Sequence, residues 1–163
     1  AQLGGLGKAG TNPRAPIDWT TILRFANHEM KTTLVRDLMQ IGVPTCRAGV
    51  TLPEAVRRLI RDGLESLVVL DEHGHAIGLF GRQEAVAAYG ISGTHYHALD
   101  SLTVTDVMSQ KIPEIPPNIP AAAAVQLMLD QHRRELYLMH HDGGICWPSA
   151  VLRFDDILNH LAK

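Results

Sequence analysis

The sequence predicts an α+β fold: two β-α-β-β-α units packed pseudo-symmetrically through small sheets, with an N-terminal extension ahead of them. Three observations predict it. From position 34 onward the chain repeats itself at an offset of 69 residues. Each half carries helix-period and strand-period segments in the same order. The composition, 45% apolar and 20% charged over 163 residues, is that of an ordinary globular chain. At this length folding buries roughly 70% of the unfolded surface, which suits one compact domain or two small ones sharing a core.

The repeat is a pattern of residue types more than of identities. Val35-Arg36-Asp37-Leu38-Met39 matches Val104-Thr105-Asp106-Val107-Met108, and Val43-Pro44 matches Ile112-Pro113. Ala55, Val56, Leu59 and Ile60 match Ala124, Val125, Met128 and Leu129. In each unit a short helical turn ends at the Met. The X-Pro pair then keeps the following segment extended. An amphipathic helix comes next, with Ala55, Val56, Leu59 and Ile60 on one face of the first. Thr51 and Glu54 form a capping-box pattern at its start. In the second unit Asn118 is the N-cap candidate, with Pro120 in the first turn.

Leu67 to Leu70 reads as a strand, Asp71-Glu72-His73-Gly74 as a hairpin turn, and Ile77 to Phe80 as the returning strand. A closing helix is expected from Arg82 to Tyr89, with Gly90 as its stop. The second unit repeats this through Leu136 to Met139, Asp142-Gly143, Val151-Leu152 and a helix to Leu161. Alone, each unit leaves a sheet face uncovered; two units cover each other. The expected division is a tail with a short helix over 1–31, a first repeat over 32–90, a linker over 91–101 and a second repeat over 102–163.

The first sixteen residues are rich in Gly and Pro and read as a tail or linker. Gly5-Leu6-Gly7-Lys8-Ala9-Gly10 matches the dinucleotide fingerprint in form only, because the required strand before it and helix after it are missing. Asp18 is placed to N-cap a helix carrying Trp19, Ile22, Leu23, Phe25 and Ala26 on one face. The start at Ala1 fits either initiator Met removal or a piece of a longer protein.

Charge narrows the partners. A net charge of -2 gives no bulk attraction for nucleic acid, and 5% aromatics leave few stacking platforms. No apolar run reaches the ~18 residues of a membrane span, and no signal-peptide core stands at the N-terminus. Cys46 and Cys146 read as reduced thiols of a cytoplasmic protein. The nine histidines, His73, His75, His95, His97, His140 and His141 among them, show no zinc-site spacing. There is no Gly-x-Ser-x-Gly elbow and no cysteine in an electropositive setting. Neither a metal nor catalysis is expected.

Residues 34–162 resemble a tandem pair of CBS domains, also called a Bateman module. The first unit carries the resemblance without a gap, from Met39 through Val43-Pro44-Thr45, Glu54-Ala55, Leu67 to Asp71 and Gly74 to Ile77-Gly78-Leu79-Phe80. The second keeps Met108 and Ile112-Pro113, has Pro117-Asn118 where the family has Pro-Asp, and carries about three extra residues around Trp147-Pro148-Ser149. The resemblance implies a regulatory module and not an enzyme. It implies an adenosine-containing effector (AMP, ADP, ATP, S-adenosylmethionine or, in some members, NAD(H)) in clefts between the repeats. It requires no other cofactor and implies a homodimer.

The family's site motif is a Thr or Ser after the last strand and an Asp three residues later. The carboxylate accepts from ribose hydroxyls, and the helix N-terminus favours a phosphate. Here those positions are Gly81 and Glu84 in the first unit and Arg153 and Asp156 in the second. The site of Asp156 ranks first and that of Glu84 second. Arg153 is either a phosphate donor or a solvated side chain. Arg82 opens a helix, where a cation is unfavourable without an anion nearby. Val43-Pro44-Thr45 and Ile112-Pro113-Glu114 would offer backbone groups and apolar walls to adenine. Two other readings stand beside this one: a ligand-free pair serving dimerisation or docking, and a regulatory fragment of a larger enzyme or transporter with its effector domain upstream.

Overall fold

The computed structural model describes residues 33–92 and 96–163, together with Thr20. The helix expected at Asp18 otherwise lies outside the described residues. In chain order the elements are α1 (Val35–Leu38), β1 (Gln40–Ile41), β2 (Thr45–Arg47), α2 (Leu52–Arg61), β3 (Ser66–Leu70), β4 (Ala76–Gly81) and α3 (Arg82–Ser92). They continue with α4 (Tyr96–Leu99), α5 (Val104–Val107), α6 (Ala121–Asp130), β5 (Glu135–Asp142), β6 (Ile145–Arg153) and α7 (Phe154–Leu161).

Two three-stranded sheets form. In the order β2-β3-β4, β2 runs parallel to β3 with Thr45 opposite Val68, and β3 runs antiparallel to β4. In the order β1-β6-β5 both pairings are antiparallel. The leading strand expected of the second repeat, near Ile112-Pro113, shrinks to a single parallel bridge, Glu114 to Tyr137. There the Ile115 N–H donates to the Tyr137 carbonyl at 2.8 Å and the Tyr137 N–H to that of Pro113 at 2.8 Å.

The repeats exchange their leading segments. Gln40 of β1 lies opposite Val151 of β6, in the second repeat's sheet. At the same offset, Ser109 lies opposite Leu79 of β4, with N–H···O bonds of 2.8 and 2.9 Å in the two directions. Gly78 permits that approach: a Cβ there would come 2.7 Å from the Ser109 carbonyl. The core follows the exchange. Val104, with Val107 and Met108, packs against Leu59, Leu67 and Phe80 of the first repeat. Val35, with Leu38 and Met39, packs against Met128, Leu136 and Leu152 of the second. A third cluster, with Val68, Leu79, Tyr137 and Val151, joins the two sheets. Burying these side chains excludes water from the seam between repeats, worth about 1.5–3 kcal/mol for each large one.

Local differences from the expected elements have identifiable causes. Thr51 caps α2 as expected, accepting from the Glu54 N–H at 3.4 Å. Asn118 does not cap α6. Pro120 holds that position in extended backbone, and Asn118 Oδ1 instead accepts from Arg36 Nη1 at 2.9 Å. Helix α3 runs through Gly90 to Ser92. Gly90 is not among the glycines with positive φ, so no left-handed stop forms there. The second hairpin is longer than its sequence signal. β5 and β6 extend to the turn at Gly143 (φ 57°) and Gly144 (φ 80°), and a register shift at Leu138 and Met139 lies opposite the extra residues around Pro148. Both cysteines are free thiols.

Candidate functional site

One device recurs at four helix starts. The backbone N–H just before the helix donates to a carboxylate three residues on: Leu34 to Asp37 at 2.8 Å, Gly81 to Glu84 at 3.0 Å, Thr103 to Asp106 at 2.8 Å and Arg153 to Asp156 at 2.8 Å. Each carboxylate satisfies an otherwise unpaired N–H and sits at the positive end of the helix. The carboxylate of the expected site motif is therefore a structural cap in both repeats. Its second oxygen decides what else it does.

Asp156 is partly exposed, and its Oδ1 accepts from Gln40 Nε2 of β1 at 3.1 Å. An inter-repeat cleft of about 100 Å³ opens at the start of α7, bounded by Gly63, Leu64 and Glu65 of the first repeat and by Arg134, Glu135, Arg153, Phe154 and Asp155 of the second; Asp156 is not among its lining residues. Glu84 is only 9% exposed, and its Oε1 pairs with Arg133 Nη1 at 2.7 Å. Its cleft, about 80 Å³, brings Gly81, Arg82 and Glu84 together with His132, Arg133 and Arg134. The two clefts are related by the sequence repeat, and Glu65 and Glu135 line both. Gly81 explains the departure from the family pattern. A Cβ there would lie 2.7 Å from the Glu65 carbonyl and 3.3 Å from Glu84 Oε2, so the longer carboxylate goes with an absent side chain.

Arg153 is neither solvated nor unpaired. Its Nε donates to Glu135 Oε1 at 3.0 Å, while Glu135 Oε2 accepts from Ser66 Oγ at 2.7 Å and Tyr137 Oη at 2.5 Å. Burial, then the Glu135 charge, pushes the Tyr137 hydroxyl well above the usual phenol range. Arg82 needs no ligand to explain it. Its Nε donates to the Leu64 carbonyl at 2.8 Å and its Nη2 to that of Leu59 at 3.2 Å. The carbonyls at and just beyond the end of α2 supply the negative partner that the sequence reading sought in a phosphate.

The expected adenine walls are placed differently from the carboxylates. Val43 and Ile112 pack in the inter-sheet core. The Pro44 and Pro113 carbonyls accept from Val68 and Tyr137. Thr45 opens β2, with its carbonyl accepting from Arg58 Nη1, and exposed Glu114 meets His141 Nε2 at 2.8 Å. None of these six residues bounds either inter-repeat cleft. The sequence reading missed Arg133, Arg134, Ser66 and Glu135. One signal was available: Ser66 and Glu135 are 69 positions apart. They hold equivalent places in the two repeats and meet where the repeats face each other.

Among the described residues no group of side chains is placed to hold a metal ion, and no helix is long and apolar enough to cross a membrane. A family model described as CBS domain matches residues 35–90. The arabinose 5-phosphate isomerase KdsD of Pseudomonas aeruginosa is 30% identical over 132 residues, 76% of this chain; the chain spans 36% of that enzyme's length. Three solved structures share the fold. A CBS-domain-containing protein of Agrobacterium tumefaciens aligns at TM-score 0.67 and 21% identity, over 81% of this chain and 95% of its own. A CBS-domain pair solved with 5′-methylthioadenosine and S-adenosyl-L-methionine aligns at 0.63 and 19%, over 79% and 99%. CBSX2, solved in complex with AMP, aligns at 0.64 and 16%, over 79% and 96%. The first repeat, residues 35–90, is thus a CBS domain, and with the second repeat that mirrors it the chain has the fold of a tandem CBS pair.

Proposed function

We propose that this CBS pair is a regulatory module whose effector is an adenosine-containing molecule held between the repeats, with Asp156 as the ribose acceptor. The observation that carries this reading is the second oxygen of Asp156, which among the described residues is held only by an exposed glutamine from the other repeat. A ribose hydroxyl replaces that contact by moving one surface side chain. At Glu84 it would have to break a buried ion pair.

At about 100 Å³ the cleft is smaller than an adenosyl group, so binding is coupled to opening. The group that must move is Arg153, which ties the cleft to Glu135 and through it to Ser66 of the first repeat. Ligand then favours the state in which that tie is released, which is the differential affinity a signalling module needs. The charge balance selects within the adenosyl class. Glu65, Glu135 and Asp155 line the cleft against Arg134 and Arg153. A neutral or sulfonium-bearing adenosyl ligand fits this better than a nucleotide polyanion. A homodimer would cover the apolar side chains left exposed on the helices, such as Val86, Leu158 and Leu161; sedimentation of the full chain tests it.

A thermal-shift panel with AMP, ATP, 5′-methylthioadenosine and S-adenosylmethionine, each near millimolar, tests the reading. A ligand at 100 times its dissociation constant adds about 2.7 kcal/mol, raising the midpoint by roughly 5–10 °C. Asp156→Ala removes the shift. The second reading, a ligand-free docking pair, has its own observation: Arg133 and Arg153, one in each cleft, are already paired to carboxylates. Cooperative melting with no shift from any of the four ligands selects it.

A further inference from the structure

A further cleft lies away from the seam between repeats, at the free edge of the first sheet. It opens between β2 and α2, has a volume of about 720 Å³, and is lined by Arg47 of the strand and by Arg57, Arg58 and Arg61 of the helix. Glu54 is the acidic residue among its lining, and Val50, Ala55, Leu67 and Leu70 add apolar surface. Arg58 bonds the Thr45 carbonyl across the cleft and lies 3.7 Å from Asp62, to which Arg61 is paired at 2.8 Å. The Arg47 and Arg57 side chains make no hydrogen bond or ion pair among the described residues.

The fold does not require this charge. At the equivalent positions of the second repeat stand Pro116, Gln126, Leu127 and Asp130, and the elements there form without a basic cluster. The charge also works against folding. Arg57 and Arg61 are a like-charged pair one helical turn apart, which is unfavourable on an isolated helix. The chain as a whole is acidic, with a net charge of -2, so the cluster does not follow from composition.

We propose that this edge cleft is an anion site for a small phosphorylated metabolite. Planar guanidinium groups match the geometry of a phosphate oxyanion and bind it bidentately. The apolar lining takes the carbon body, and the volume falls in the range of small-molecule sites. Two guanidinium groups without partners offer donors at no cost in broken ion pairs. The site lies apart from the inter-repeat clefts, and of the residues named for the effector only Thr45 lines it.

The test is a titration of the full chain with inorganic phosphate and with phenyl phosphate, followed by amide chemical shifts. Phosphate alone probes the charge; the phenyl ester adds the apolar body. The expected result is movement of amides in 45–47 and 57–62, with phenyl phosphate binding at least about tenfold more tightly than phosphate. The Arg47→Ala, Arg57→Ala double variant is expected to melt within a degree or two of the parent, since both side chains are exposed, and to lose at least about tenfold in affinity. Movement confined to residues around Arg153 and Glu135 overturns the proposal, as does no movement at all. Equal binding by the double variant overturns it too. Equal affinity for the two probes removes the apolar half of the site and leaves a bare charge cluster, which also overturns the metabolite assignment.

Discussion

At the end of the first repeat's last strand stand Gly81 and a buried Glu84; at the same place in the second stand Arg153 and a partly exposed Asp156. Both carboxylates cap the helix that follows. The first then locks onto Arg133 from the opposite repeat, whereas the second holds a surface glutamine. One backbone plan thus supports a buried ion pair at one junction and a partly exposed contact at the other. A repeat inherited twice need not keep its chemistry twice.

The sharpest way to break this comparison is to return the family hydroxyl to the first junction. In Gly81→Thr the new Cβ meets the Glu65 carbonyl at 2.7 Å and Ser66 Cβ at 2.8 Å. The expected cost is about 3 kcal/mol, a fall in the melting midpoint of roughly 6–12 °C. Arg153→Thr, at the matching place, leaves Glu135 bonded to Ser66 and Tyr137 and should cost about 1–2 kcal/mol. Equal losses would show that the junctions are not differently packed.

Removing the carboxylates sharpens it further. Glu84→Ala loses a buried ion pair and a cap, about 2 kcal/mol; Asp156→Ala loses a cap and an exposed contact, about 1 kcal/mol. Ligand response should follow the opposite order, surviving the first change and vanishing with the second. Chemical melts with and without ligand read both. Helix starts give a smaller contrast: Thr51→Ala should cost about 0.5–1 kcal/mol in urea unfolding, a contribution α6 lacks because Pro120 offers no side-chain cap.

The hairpin turns give the smallest effect. In the first, Asp71 Oδ1 accepts from the His75 and His73 N–H groups at 2.9 Å each. Chiefly the His75 N–H holds this carboxyl below the usual carboxylate range. A depressed folded value means the turn's contribution is full above the unfolded value near ~3.9 and is lost as pH falls through the folded one. An NMR titration of the carboxyl should give a midpoint below that of an unfolded Asp; one at or above it removes the effect. The Gly143-Gly144 turn of the second hairpin relies instead on two positive-φ glycines.

Much of the fold was legible because its signals are local. X-Pro pairs keep helix out of 43–44 and 112–113, Thr51 reaches only three residues ahead, and Asp71 to Gly74 closes on itself. The exchange of β1 and Ser109 between repeats was not legible, because strand pairing across so long a separation leaves no mark on neighbouring residues. The site was half legible. The resemblance singled out Asp156 and Glu84, which cap the helices that follow, but Gly81 is explained by a carbonyl at Glu65 that only the fold brings near. The partners of Arg82 and Arg153 were not legible for one reason: charge is visible in a sequence, and its partner across the chain is not.

The exchanged strands also set a clock on synthesis. Gln40 finds its partners only when β6 and Asp156, 116 residues later, have left the ribosome. At translation rates of about 5–20 residues per second that is a wait of roughly 6–23 seconds. During it the nascent first repeat has its own sheet, while Val35, Leu38 and Met39 have nothing to bury against. The N-terminal half is therefore the aggregation-exposed half of the nascent chain, and a stalled or truncated transcript should yield a product that chaperones hold and proteases clear.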